Sequence, residues 1–132
     1  MKQLTVITSN EPGNLADITS ALAGEGINVE NIEADGHGRR GVVVLTVALD
    51  VYDLALRTLR ENTSCQVFTE DALVVHVEDR PGALAEIATR FKEASVNLRS
   101  LHIIHRYDGF SLASLVADDR DAAEALVRDL MA

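Results

Sequence analysis

Asp79-Arg80-Pro81-Gly82-Ala83-Leu84, set beside Asn10-Glu11-Pro12-Gly13-Asn14-Leu15, is the stretch whose reading decides the fold. Each Pro-Gly pair separates two kinds of periodicity. Before the later one, Leu73, Val75 and Val77 alternate as on one face of a strand; after it, Leu84, Ile87, Ala88 and Phe91 recur at helical spacing. The earlier pair stands likewise between Leu4 and Val6 on one side and Leu15, Ile18 and Leu22 on the other. Both are strand-to-helix turns. Proline suits a first helical turn because it has no N–H to leave unpaired, and glycine lets the backbone approach whatever lies above the turn.

Shifting the chain by 69 residues lays Leu4 to Asp35 over Leu73 to Ile104, with eight of 32 positions identical: Leu4/Leu73, Val6/Val75, Pro12/Pro81, Gly13/Gly82, Leu15/Leu84, Ala16/Ala85, Ile18/Ile87 and Asn28/Asn97. This period exceeds the roughly 20 to 50 residues of solenoid repeats, so each copy reads as a small domain, spanning 1–70 and 71–132. A unit this small is marginal alone, which favours packing of the copies against one another.

Outward from the turns the order continues. Ile27-Asn28-Val29 and Val96-Asn97-Leu98 open second alternating segments that return through Gly36 to Gly41 and Asp108-Gly109, so each is a hairpin. Third strands are expected at Val42 to Leu49 and Phe110 to Ala117, and acidic starts at Asp50 and Asp119 lead into second helices. A fourth strand around Cys65 to Thr69 completes β-α-β-β-α-β in the first copy. The second copy stops at its second helix, leaving a sheet edge open, covered or filled by another strand. Segment 64–70 is expected to join the two sheets or to stand beside that edge. The fold class is α+β: two tandem ferredoxin-like units with antiparallel sheets, the second lacking its last strand.

Composition narrows the function. Apolar residues form 47% of the 132 positions and charged ones 25%, the balance of a globular protein with a core. Twelve Lys and Arg against 21 Asp and Glu give a net charge of −9, which repels nucleic acid and acidic membranes alike. Neither is an expected partner. Five aromatic residues offer no stacking platform for single-stranded RNA. Cys65 is the lone cysteine, which excludes an internal disulfide, and with no signal-like start or apolar span the expected location is the cytoplasm.

No phosphate loop, nucleophile elbow or metalloprotease helix is present, and carboxylates such as Asp118, Asp119, Asp121 and Glu124 read as helix-surface charge. The chain is expected to be no enzyme and to need no cofactor. His102 and His105, three apart on a strand, are expected on opposite faces, and His37 and His76 lie in other elements, so no metal site is expected. Arg39-Arg40 reads as a solvated turn.

At each turn the N–H groups of Gly13, Asn14 and Leu15, or of Gly82, Ala83 and Leu84, lie at a helix start where a carboxylate is favoured. Asn28 and Asn97 each follow sixteen residues after their proline. An amide offers both donor and acceptor, so across a packed pair the turn of one copy and the asparagine of the other suit a zwitterion. Asn28 and Asn97 also have a plain reading as turn residues bonding their own backbone.

This pattern, an Asp or Asn, a variable residue, Pro-Gly and a helix, followed by Ile27-Asn28-Val29 or Val96-Asn97-Leu98, resembles the ACT domain family over nearly the whole chain. The resemblance implies a non-catalytic regulatory module that binds an amino acid between paired units and acts on a partner enzyme. It implies ligand contacts from Asn10, Glu11, Gly13, Asn14, Leu15 and Asn28, and from Asp79, Arg80, Gly82, Ala83, Leu84 and Asn97. Two departures matter: Ser95 replaces Gly26, and Asp79 replaces Asn10, favouring an ammonium over a carboxylate or capping its own helix. The two sites are therefore expected to be unequal. A homodimer is expected because acidic modules with unfilled edges commonly pair. The competing reading is an interaction module that recruits another chain at the open sheet edge, without a small ligand.

Overall fold

A computed structural model describes residues 1–131. It divides into two compact units, Lys2–Glu70 and Asp71 onward together with Met1. The first contains β1 (Lys2–Ser9), α1 (Asn14–Gly24), β2 (Val29–His37), β3 (Arg40–Val47), α2 (Tyr52–Asn62) and β4 (Gln66–Asp71). The second contains β5 (Leu73–Glu78), α3 (Ala83–Glu93), β6 (Leu98–Tyr107), β7 (Phe110–Ala117) and α4 (Arg120–Val127).

The first sheet runs β2-β3-β1-β4 and the second β5-β7-β6, with antiparallel registers such as Leu4↔Leu45, Ile32↔Leu45, Val75↔Ala113 and Leu101↔Leu115. Both are the ferredoxin-like order, the second without its fourth strand. Segment 66–71 stands beside β1 of its own sheet, so it does not fill the open edge of the second. There, among the described residues, only Met131 makes an antiparallel bridge, to Val75.

Each unit buries one sheet face under its two helices. Leu4, Val6, Ile18, Leu22, Leu45 and Leu59 form the first core; Val75, Ile87, Phe91, Leu115 and Val127 anchor the second. Fully burying one such side chain contributes about 1.5–3 kcal/mol. Tyr52 carries its hydroxyl into the first core and donates to the Gln3 carbonyl at 2.8 Å, which fixes α2 over β1. In the second unit Arg90 does similar work from outside, donating to the Leu126 carbonyl (2.9 Å) and to both Asp129 oxygens (2.7 and 3.1 Å).

Several expectations are corrected. Leu15, Leu84 and Ala88 lie outside the cores, the two leucines 45% and 39% exposed, because α1 turns Ile18 and Leu22 inward and α3 the seam Ala83-Ile87-Phe91. The first hairpin turn is Gly38-Arg39, tighter than 36–41, since β2 runs through Gly36 to His37. Asp119 caps α4 by accepting from the Ala122 N–H at 3.1 Å, but its counterpart Asp50 sits in the 3₁₀ turn Leu49–Val51, and α2 starts without a side-chain cap. Finally, a bulge between Ile103 and His105 puts His102 opposite Ser114 and His105 opposite Leu112, two residues apart on β7 and hence on one face, not two.

Candidate functional site

Both turns form left-handed elbows. Gly13 (φ 94°) and Gly82 (φ 88°) precede α1 and α3, a backbone that side chains rarely adopt, and neither helix start has a side-chain cap. Asp79 therefore does not cap α3. The Asn14 and Ala83 N–H groups bend back to the Glu11 and Arg80 carbonyls at long distances, 3.4 and 3.3 Å, so two of the six donors expected to point outward are turned into the elbow.

The elbows are pinned to the hairpin tips. The Asn10 N–H donates to the Arg39 carbonyl (2.9 Å) and its side-chain amide to the Gly38 carbonyl (3.0 Å). Its amide lies so close over Gly36 that a Cβ there would stand 2.6 Å from Oδ1, which is why this strand position is glycine. The Asp79 N–H likewise donates to the Gly109 carbonyl at 2.8 Å. Asn14 donates its side-chain amide to the Ser9 carbonyl and hydroxyl, holding the first elbow from below.

The electrostatics differ. The first elbow carries Asn10 and an exposed Glu11. In the second, Arg106 donates to Asp79 (2.9 Å), while Arg80 clamps Glu78 and both Glu86 oxygens. The hydrogen bonds from Arg80 hold the Glu86 carboxyl below its usual range, and those to Glu86 and Glu78 raise the guanidinium further. Ala83 is buried, and its N–H is taken by the Arg80 carbonyl.

Asn28 and Asn97 are both exposed and immediately precede β2 and β6. Asn97 donates to Asp118 Oδ2 at 2.9 Å, and its carbonyl accepts from the Asp118 N–H. These strands lead away to the hairpin tips where the elbows sit. At about 3.3 Å per residue, nine or ten residues separate each unit's own asparagine from its own elbow by roughly 30 Å.

Sequence reasoning missed a crevice beside the first helix of each unit, α1 facing segment 62–65 and α3 facing β5 and segment 129–131. In the first unit a crevice of about 520 Å³ is polar, lined by Asn14, Asp17, Ser20, Asn62, Thr63 and Cys65. In the second, one of about 260 Å³ is lined by apolar Val77, Ile87 and Met131 and by Arg80, Arg90 and Asp129. The 69-residue shift relates Asn14 to Ala83 and Asp17 to Glu86, but the far walls come from segments 62–65 and 129–131, which the repeat does not align. Among the described residues no group of three or more His, Cys, Asp or Glu has metal-holding geometry, and no helix is long and apolar enough to cross a membrane.

The ACT domain model matches this sequence twice, at residues 2–62 and 72–126. The chain belongs to the ACT domain family. Its two ACT units have the fold of several solved structures. Protein BT0572 of Bacteroides thetaiotaomicron is 21% identical with a TM-score of 0.77, covering 97% of this chain and 86% of that one. The regulatory subunits of aspartate kinase from Thermus flavus and Thermus thermophilus are each 20% identical, with TM-scores of 0.68 and 0.65. They cover 97% and 96% of this chain, and 90% and 88% of their own. No curated protein matched.

Proposed function

We propose that the two ACT units form a non-catalytic regulatory module that binds a free amino acid where the elbow of one unit meets the asparagine of another. The observation that carries this is the roughly 30 Å between each elbow and its own unit's asparagine: one small ligand reaches both groups only if a second unit lies antiparallel beside the first. The uncapped starts of α1 and α3 then offer N–H groups to the carboxylate, and the facing asparagine Oδ1 accepts from the ammonium. Exposed Leu15 and Leu84 beside the elbows suit cover by a second unit. Family membership supports the regulatory role, and the likeness to regulatory subunits of aspartate kinase suggests a partner enzyme of amino-acid metabolism.

The first elbow is the stronger carboxylate seat, because Asn10 is neutral where Asp79 is anionic and already paired with Arg106. Ligand-induced stabilisation of the full chain, screened over the twenty amino acids, tests the reading. One small group of ligands should raise the melting temperature, with the gain lost in Asn28→Ala or Asn97→Ala and cut more by Asn10→Ala than by Asp79→Ala. No response to any amino acid counts against it. The alternative, strand addition at the free edge of β5, is favoured by the lone Met131–Val75 bridge there and predicts assembly that no amino acid alters.

A further inference from the structure

The crevice of the second unit is an apolar slot with a guanidinium at its rim. Val77, Ala83 and Ile87 line it and are buried, and Leu130 and Met131 add two half-buried apolar side chains. Arg90 grips both oxygens of Asp129 there, Nη1 donating to Oδ1 at 2.7 Å and Nη2 to Oδ2 at 3.1 Å. A fork that holds one carboxylate at two points is shaped to hold another.

The seat is easily vacated. Asp129 is exposed, with 62% of its side chain open to solvent, so the ion pair is of small worth and the displaced carboxylate would return to water. One carboxylate replacing another also leaves the charge beside Arg90 unchanged. The remaining rim carboxylates, Glu78 and Glu86, are bound to Arg80, and Glu86 acts on Arg90 only through its charge. At about 260 Å³ the slot is smaller than the roughly 300–1,000 Å³ of drug-sized sites. Allowing roughly 30 Å³ for each water-sized group, it holds about eight non-hydrogen atoms.

We propose that this slot binds a small aliphatic monocarboxylate, its carboxylate on Arg90 in place of Asp129 and its apolar tail against Val77, Ile87 and Met131. Asp129 is then an internal competitor that fills the seat when the acid is absent. The first unit lacks such a seat. The 69-residue shift lays Ala21 over Arg90, and no Lys or Arg lines the first crevice among the described residues. The slot uses neither Asn28 nor Asn97, so it stands or falls separately from amino-acid binding at the elbows.

Calorimetric titration of the full chain with 4-methylpentanoate, and with 4-methylpentanamide as its uncharged match, tests the proposal. The acid should bind, and the amide should bind at least about tenfold more weakly. Asp129→Asn should tighten acid binding about two- to fivefold, because the competitor has gone; an Asp129 that only supports the slot would give the reverse. Arg90→Gln should weaken the acid at least about tenfold, and Arg90→Lys, which keeps the charge but loses the fork, should fall between. Circular dichroism melts check folding, and if Arg90→Gln does not fold, the Asp129→Asn result and the contrast of acid with amide decide. Asn28→Ala with Asn97→Ala should leave acid binding unchanged. No binding of the acid at millimolar concentration, equal binding of acid and amide, weaker binding by Asp129→Asn, or loss of binding in the double asparagine variant overturns the proposal.

Discussion

The two units share one plan and differ in how it is held. The first is built on neutral hydrogen bonds: Asn10 over Gly36, Asn14 under the elbow, Tyr52 through the core. The second substitutes exposed ion pairs, Arg80 with Glu78 and Glu86, Arg90 with Asp129, and Arg106 with Asp79. A duplicated fold thus tolerates wholesale exchange of its surface chemistry provided the apolar seam and the left-handed glycine are kept. The seam fixes the packing and leaves the surface of each unit free to differ.

The sharpest way to break the claim of equal cores is to truncate matched residues. Leu22→Ala and Phe91→Ala occupy equivalent places, both essentially buried, and each should cost about 2–5 kcal/mol in denaturant unfolding. If one costs less than 1 kcal/mol, the two cores are not comparable. A subtler difference follows α1 and α3, where Gly26 (φ 70°) and Ser95 (φ 56°) hold the same left-handed backbone. Gly26→Ser should lose about 1 kcal/mol and Ser95→Gly should gain about 0.5–1 kcal/mol, read from thermal melts.

The cap asymmetry predicts that Asp119→Ala costs about 1 kcal/mol while Asp50→Ala stays within about 0.5 kcal/mol. The smallest effect concerns acid. Arg90 holds the Asp129 carboxyl below its usual range, so the folded pKa is depressed. The pair's contribution is present above the ordinary carboxylate range and fades as the pH falls through and below it. Asp129→Asn should therefore lower stability slightly at neutral pH and not at all in strong acid, measured as melting temperature against pH. Glu86→Gln should behave likewise.

These contrasts also mark what could be read from residues alone. Pro12-Gly13 and Pro81-Gly82 announced the elbows, because proline and glycine restrict or free the backbone locally. The unequal elbows were legible in Asn10 against Asp79. Illegible were the inward seam through Ala83, which left Leu84 exposed, and the failed cap at Asp50. Both depend on how a helix rotates against its sheet, which periodicity constrains only to within a residue or so. The bulge beside His105 was invisible for the same kind of reason: one extra residue reverses the facing of everything after it, with no signature in residue type.

From the sequence by itself came the duplication, the order of strands and helices and the two Pro-Gly turns, since each is a local property of the chain. Tertiary structure alone decided that β4 lies on β1, that Met131 bridges Val75 on β5, and that each elbow sits a strand's length from its own asparagine. Those are distances between parts remote in sequence, settled by packing and register, which no local pattern encodes.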